Sequence, residues 1–241
     1  MSEVNCSVEY CTVETSDGVK LHTRIFNPEE EEKEKNNNIT VVLVHPYSIL
    51  GGCQALLIGI ASGLAARGYK ALTFDMRGVG PSTGKASLTG FKEIEDVIAV
   101  CRWASCNLSA HRILLVGSSA VKLWKIWIGF LNMRRAPIAG SAVDKIEQVV
   151  GYMSLGYPFG LMSSILFGRH HKAILKSPKP KLFVMGTRDG FTSVKQLKRK
   201  LKSAVGRTEI HLLEGVSHFE MEGRVYDNQM VSLIIDFVSS L

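Results

Sequence analysis

The chain predicts an α/β fold: a mostly parallel sheet with an antiparallel N-terminal edge and helices on both faces. Short apolar runs alternate with helical patterns along its 241 residues. Most of those runs are continuously apolar, as strands covered on both faces should be. The first two strand-like runs are instead joined by a tight turn, which marks an antiparallel pair.

Residues 11–14 and 19–26 form that pair around Ser16-Asp17-Gly18. Residues 29–38, four glutamates and then mixed Lys, Glu and Asn, are a solvated surface loop. Residues 41–44 make the first buried strand. Leu56, Leu57, Ile60, Ala61, Leu64 and Ala65 share one helical stripe, closed at Arg67-Gly68. Residues 71–74 are the next strand. Residues 89–106 are a helix, with Glu93, Glu95 and Asp96 near its positive N-terminal end. Strands at 113–116, 149–155, 182–185 and 210–213 complete the sheet, with helices at 194–205 and 227–238. Nothing marks a linker, so residues 1–241 are expected to form one domain. Residues 159–178 leave room for a small lid only.

Composition narrows the function. Hydrophobic residues make up 46% and charged residues 21%, ordinary for a globular domain. No apolar run reaches the length of a membrane-spanning helix. Met1-Ser2-Glu3-Val4-Asn5-Cys6 has neither the basic start nor the apolar core of a signal peptide, so a cytoplasmic protein is expected. Cys6, Cys11, Cys53, Cys101 and Cys106 are scattered, with no C-x-x-C pair, so neither a disulfide framework nor a metal site is expected. The net charge of +7 is spread over surface positions, including Lys195, Lys198, Arg199, Lys200 and Lys202 on one helix. No nucleic-acid-binding motif accompanies it, so no nucleic-acid partner is expected.

Three stretches carry chemistry: Gly117-Ser118-Ser119-Ala120, Gly186-Thr187-Arg188-Asp189 and Gly215-Val216-Ser217-His218. Each follows its own strand. A serine hydroxyl is a poor nucleophile until an imidazole takes its proton and a carboxylate holds that imidazole in the right tautomer. Ser119, on a sharp turn between strand and helix, would be exposed at the strand end where ligands bind in open α/β sheets. The remaining histidines, His22, His111, His170, His171 and His211, lack such context and are expected to be structural or at the surface.

The order Ser, Asp, His resembles that of the α/β-hydrolases, and the likeness extends over essentially the whole chain. It is nearest to the small, almost lidless branch of dienelactone hydrolases and serine aminopeptidase-like esterases. His45-Pro46-Tyr47 followed by Gly51-Gly52, and Asp75-Met76-Arg77-Gly78-Val79-Gly80-Pro81-Ser82, are similar to that family's motifs. The resemblance implies catalytic Ser119, Asp189 and His218, with an oxyanion hole from the backbone N–H groups of Tyr47 and Ala120. It implies a small acyl substrate and no cofactor. The Arg77-Gly78 loop resembles the family's structural loop beside the site.

One position departs from the family. The elbow G-x-S-x-G should end in glycine, and here it ends in Val121. Residues 121–135 read as an insertion of the kind that alternative splicing or a gene-model error produces. The expected helix resumes at Ala136-Pro137-Ile138-Ala139-Gly140-Ser141-Ala142. The inserted stretch holds Trp124, Trp127, Lys122, Lys125, Arg134 and Arg135, and can be drawn as a mostly apolar helix with a narrow polar face. Either it replaces the native helix in the core, or that helix keeps its place and the insert projects outward. A projecting flap would suit contact with a membrane surface, or would simply burden the fold. Two functions are therefore expected to compete: an acyl-transfer serine hydrolase acting on small esters or thioesters, and a catalytically impaired or silent isoform with a binding role.

Overall fold

The computed structural model describes residues 6–29, 39–46, 52–87, 90–119, 136–218 and 220–241. Eight strands form one sheet: β1 (Ser7–Glu14), β2 (Lys20–Asn27), β3 (Ile39–Val44), β4 (Ala71–Phe74), β5 (Arg112–Ser118), β6 (Val149–Leu155), β7 (Lys181–Gly186) and β8 (Thr208–Leu213). Their spatial order is β1-β2-β4-β3-β5-β6-β7-β8. The pairs β1–β2 and β2–β4 are antiparallel, and every later pair is parallel. The expected antiparallel edge is there, longer than expected because Ser7 to Tyr10 pair in register with Asn27 to Arg24.

Two apolar layers sandwich the sheet. On one face lie α2 (Phe91–Asn107), α3 (Ala136–Ala142), α4 (Leu161–Lys176) and α5 (Val194–Leu201). On the other lie α1 (Ile58–Ala65) and α6 (Arg224–Ser239), with Leu57, Leu64, Met230, Ile234 and Phe237 buried against β3, β5 and β7. β3 and β4 are buried at every position, which accounts for their unbroken apolar sequence. Each fully buried aliphatic side chain in these layers contributes about 1.5–3 kcal/mol.

Helix α3 begins where the sequence expects a helix to resume. Its Ile138, Ala139 and Ala142, and Val143 just after it, are all fully buried in the core beside α2 and β6. Residues 121–135 themselves lie outside the described residues, as do Tyr47 and Ala120. Gly140 lets α4 approach closely, because a Cβ there would stand 3.1 Å from that of Ile174. Ser141 Oγ and His170 Nδ1 are 2.8 Å apart across the same contact. Residues 161–176, within the stretch expected to supply at most a small lid, form a helix packed into the framework at these points.

Charge inside the fold is paired. Arg77 is 2% exposed, and its guanidinium meets Asp96 at 2.7 Å and Asp17 at 2.7 Å. Burial disfavours the arginine charge most, yet the bonds to Asp17 and Asp96 carry its pKa above the ordinary value. Burial raises the Asp96 carboxyl, with Arg77 opposing that shift. Asp96, expected to serve the helix dipole, instead holds this arginine. Glu93 similarly accepts from the Ser87 N–H at 2.6 Å. At the opposite end of the sheet, Lys181 Nζ is buried and donates to the carbonyls of Ser177 (2.8 Å) and Val205 (2.6 Å).

Candidate active site

Three strand ends converge. β5 leads directly to Ser119, whose N–H donates to the Leu155 carbonyl at 3.0 Å and so continues the β5–β6 pairing. β7 leads to Asp189 through a turn closed by Asp189 N–H to the Gly186 carbonyl, 3.1 Å. Glycine is required at 186, since a Cβ would lie 2.1 Å from the Val216 carbonyl oxygen. β8 leads to His218 through Gly215, whose φ of +72° suits glycine and whose N–H donates to Thr187 Oγ1 at 2.9 Å.

Asp189 and His218 meet. Asp189 Oδ2 lies 2.5 Å from His218 Nδ1, and neither side chain is more than 1% exposed. The other carboxylate oxygen, Oδ1, accepts the backbone N–H groups of Phe191 (2.8 Å) and Thr192 (2.9 Å). The carboxylate is thus fixed at both ends. With the Nδ1 proton directed at Asp189, Nε2 presents its lone pair, the tautomer a general base needs. The Phe191 ring stands edge-on to the imidazole, with centroids 4.8 Å apart. Gly156, with φ +71°, closes the other side; a Cβ there would be 3.0 Å from His218 Cε1.

Ser119 is brought to the same place but not bonded as a nucleophile would be. His218 Nε2 is 3.3 Å from the Ser119 carbonyl oxygen. The Ser119 hydroxyl is buried and has no hydrogen-bond partner among the described residues. With Nδ1 protonated, the Nε2–carbonyl contact becomes a hydrogen bond only in the imidazolium form. The catalytic bond requires the hydroxyl to take the position at Nε2 that the carbonyl oxygen now holds. Catalytic hydrogen bonds are often long or misaligned without substrate.

The flanking motifs are structural. His45 is fully buried, its Nδ1 2.7 Å from the Pro46 carbonyl and its Nε2 accepting the Met76 N–H at 3.2 Å. It ties the strand end before Tyr47 to the loop after β4. Asp75 accepts Gln54 N–H at 2.9 Å and Gln54 Nε2 at 2.8 Å, while Thr73 Oγ1 donates to Gln54 Oε1 at 2.8 Å. Ser82 Oγ donates to the Asp75 carbonyl at 2.6 Å. The stretch from Asp75 to Ser82 thus shapes the loops around the site. Thr192 is a residue that sequence reasoning missed. Its hydroxyl accepts the Phe159 N–H at 2.8 Å and donates to the Tyr157 carbonyl at 3.2 Å. Its position three residues after Asp189 is the one signal that could have drawn notice.

Among the described residues, no group of three or more His, Cys, Asp or Glu is set to hold a metal ion. Among them also, no helix is long and apolar enough to cross a membrane.

An open sheet in this strand order, with Ser119, Asp189 and His218 after the ends of β5, β7 and β8, is the framework of the α/β-hydrolases, and comparison with known proteins agrees. Residues 17–121 match the family of X-Pro dipeptidyl-peptidases (S15 family). Among solved structures, an α/β serine hydrolase homologue from Coxiella burnetii is 24% identical, with a TM-score of 0.71 over 95% of this chain and 96% of its own. A lidless α/β serine hydrolase from Xanthomonas campestris is 18% identical, with a TM-score of 0.73 over 95% and 94%. An esterase from Pyrococcus furiosus is 18% identical, with a TM-score of 0.71 over 99% and 92%. No curated protein matches the chain in sequence. The chain has the α/β-hydrolase fold.

Proposed function

We propose that the chain is a serine hydrolase acting on small esters or thioesters, with Ser119 as nucleophile, His218 as base and then acid, and Asp189 as the orienting carboxylate. The observation that carries this reading is the buried Asp189–His218 bond, with the carboxylate held by two N–H groups and the imidazole 3.3 Å from Ser119. A surface aspartate and histidine meeting by chance would not be fixed from four sides. Ser119 Oγ would pass its proton to Nε2 as it bonds to the acyl carbon. That proton then leaves with the alcohol or thiol, and water, activated by the same imidazole, releases the acid. Backbone N–H groups of Tyr47 and Ala120 would stabilise the tetrahedral oxyanion, an effect worth several kcal/mol. A substrate reaching this site is expected to be small, and the neighbours described as an esterase and as a lidless serine hydrolase support that class.

A second reading has its own observation. The imidazole faces the Ser119 carbonyl oxygen and the hydroxyl is unpartnered, as in a silent relative whose elbow has lost its aim. The sequence also carries β-branched Val121 where the elbow motif calls for glycine. A fluorophosphonate probe separates the two. Labelling of the full chain that disappears in Ser119→Ala supports the hydrolase. Labelling only after residues 121–135 are replaced by one glycine supports the silent form.

A further inference from the structure

We propose that β8 is a self-pairing edge, along which two copies of this chain join antiparallel about a two-fold axis at Ile210. The inference does not depend on whether the site turns over.

β8 ends the sheet, and its inner side is fully used. Lys181 N–H donates to the Arg207 carbonyl and Thr187 N–H to the Leu213 carbonyl, each at 2.9 Å. In a parallel ladder this parity directs the backbones of Glu209 and His211 toward β7 as well. The N–H and C=O groups of Thr208, Ile210 and Leu212 therefore point away from the sheet, and no described residue bonds to them. An edge of this kind is usually blunted by lysine, proline or a bulge. Thr208–Leu213 has none of these; its one formally charged residue, Glu209, is bonded to Arg207 at 3.0 Å, and Ile210 and Leu212 are only half-buried.

Parity also fixes the register. Outward-facing residues must pair with outward-facing residues, so the two-fold axis can fall on Glu209, Ile210 or His211. Centred on Glu209 or His211, like side chains oppose each other. Centred on Ile210, Ile210 faces its own copy, Thr208 faces Leu212, and Glu209 faces His211 twice. That last pair is of the non-hydrogen-bonded kind, in which side chains approach most closely. Glu209 and His211 pair with Leu182 and Val184 of β7, which places them on the α6 face. There a cleft of about 310 Å³ opens between β8 and α6, lined by Leu182, Glu209, His211, Leu233, Asp236 and Phe237. It gives the second copy's Glu209 and His211 room in a lining that mixes Leu182, Leu233 and Phe237 with Asp236 and Ser240. A closed two-fold pair of edges uses every outward group without leaving a new free edge.

The test is sedimentation equilibrium of the full chain with two charge reversals. Wild type is expected to be dimeric. His211→Glu places carboxylates opposite one another twice, and Glu209→Lys puts a cation where a carboxylate accepted from the facing imidazole and from Arg207 of its own chain; each should weaken the dimer by about tenfold or more. An equimolar mixture of the two variants should dimerise again, because in the mixed pair each new charge faces an opposite one. Far-UV circular dichroism of each variant, expected to match wild type, excludes misfolding. A monomeric wild type, a dimer indifferent to both substitutions, or a mixture that stays apart would each overturn the proposal.

Discussion

Thr192 accepts the Phe159 N–H at 2.8 Å through a hydroxyl that is itself buried, so the loop carrying Asp189 and the loop pressing on His218 are one rigid unit. Thr192→Val keeps the shape and removes the bridge, leaving the Phe159 N–H its longer contact with the Tyr157 carbonyl, 3.2 Å. The expected cost is about 0.5–1.5 kcal/mol in urea unfolding. Turnover should also fall, because both loops position the imidazole.

Asp189→Asn tests the carboxylate. An asparagine can still accept the Phe191 and Thr192 N–H groups, so the fold should survive. It can no longer hold the imidazole in the tautomer with Nε2 free to accept a proton. Hydrolysis of a small activated ester should drop by about ten-thousand-fold, with near-native thermal unfolding.

Gly156→Ala separates positioning from stability. The left-handed φ of +71° costs a non-glycine residue about 1–2 kcal/mol. The new methyl also meets His218 Cε1 at 3.0 Å, against an imidazole that Asp189 does not let move freely. The rate should fall by roughly a hundredfold while the melting temperature changes by only a few degrees.

Arg77 predicts an asymmetry between its two acids. Asp96→Ala leaves a buried guanidinium short of its buried partner and should destabilise by roughly 3–5 kcal/mol. The Asp17 side chain is 48% exposed, so Asp17→Ala should cost at most about 1 kcal/mol. Denaturant midpoints of the two variants measure the difference.

His171 predicts a pH dependence. It is 4% exposed, lies beside Tyr157 and Phe159, and burial pushes its pKa down to about 4, helped by Lys200 and His170. An unfolded histidine titrates near about 6.5. Between those values the unfolded chain binds the extra proton, so stability falls as pH drops from about 6.5 to about 4, by up to roughly 3 kcal/mol. Unfolding of His171→Phe at the two ends of that window should show a shallower slope.

The strands were legible because those buried on both faces write their burial as an unbroken apolar run. The candidates Ser119, Asp189 and His218 could be picked out because each comes within five residues of a strand's carboxyl end. What was hidden depends on contacts distant in sequence. The helix expected over 194–205 stops at Leu201 because the chain turns to give the Val205 carbonyl to Lys181 and its N–H to Leu175. His170 and His171, expected to be structural or at the surface, are buried where α4 packs on α3 and on the aromatic cluster around Tyr157, and nothing in the sequence chose between the two. Only its place three residues after Asp189 marks Thr192, because the partners of its hydroxyl lie over thirty residues away.

Lys181 stands at the amino end of the strand whose carboxyl end carries Asp189, about 20 Å away by strand geometry. The end that secures the fold and the end arranged for chemistry are thus separate inheritances. Selection for a folded chain watches over the first and is indifferent to the second. A lineage with this scaffold can therefore hold its amino-end anchors fixed while the residues at the carboxyl ends drift toward new substrates.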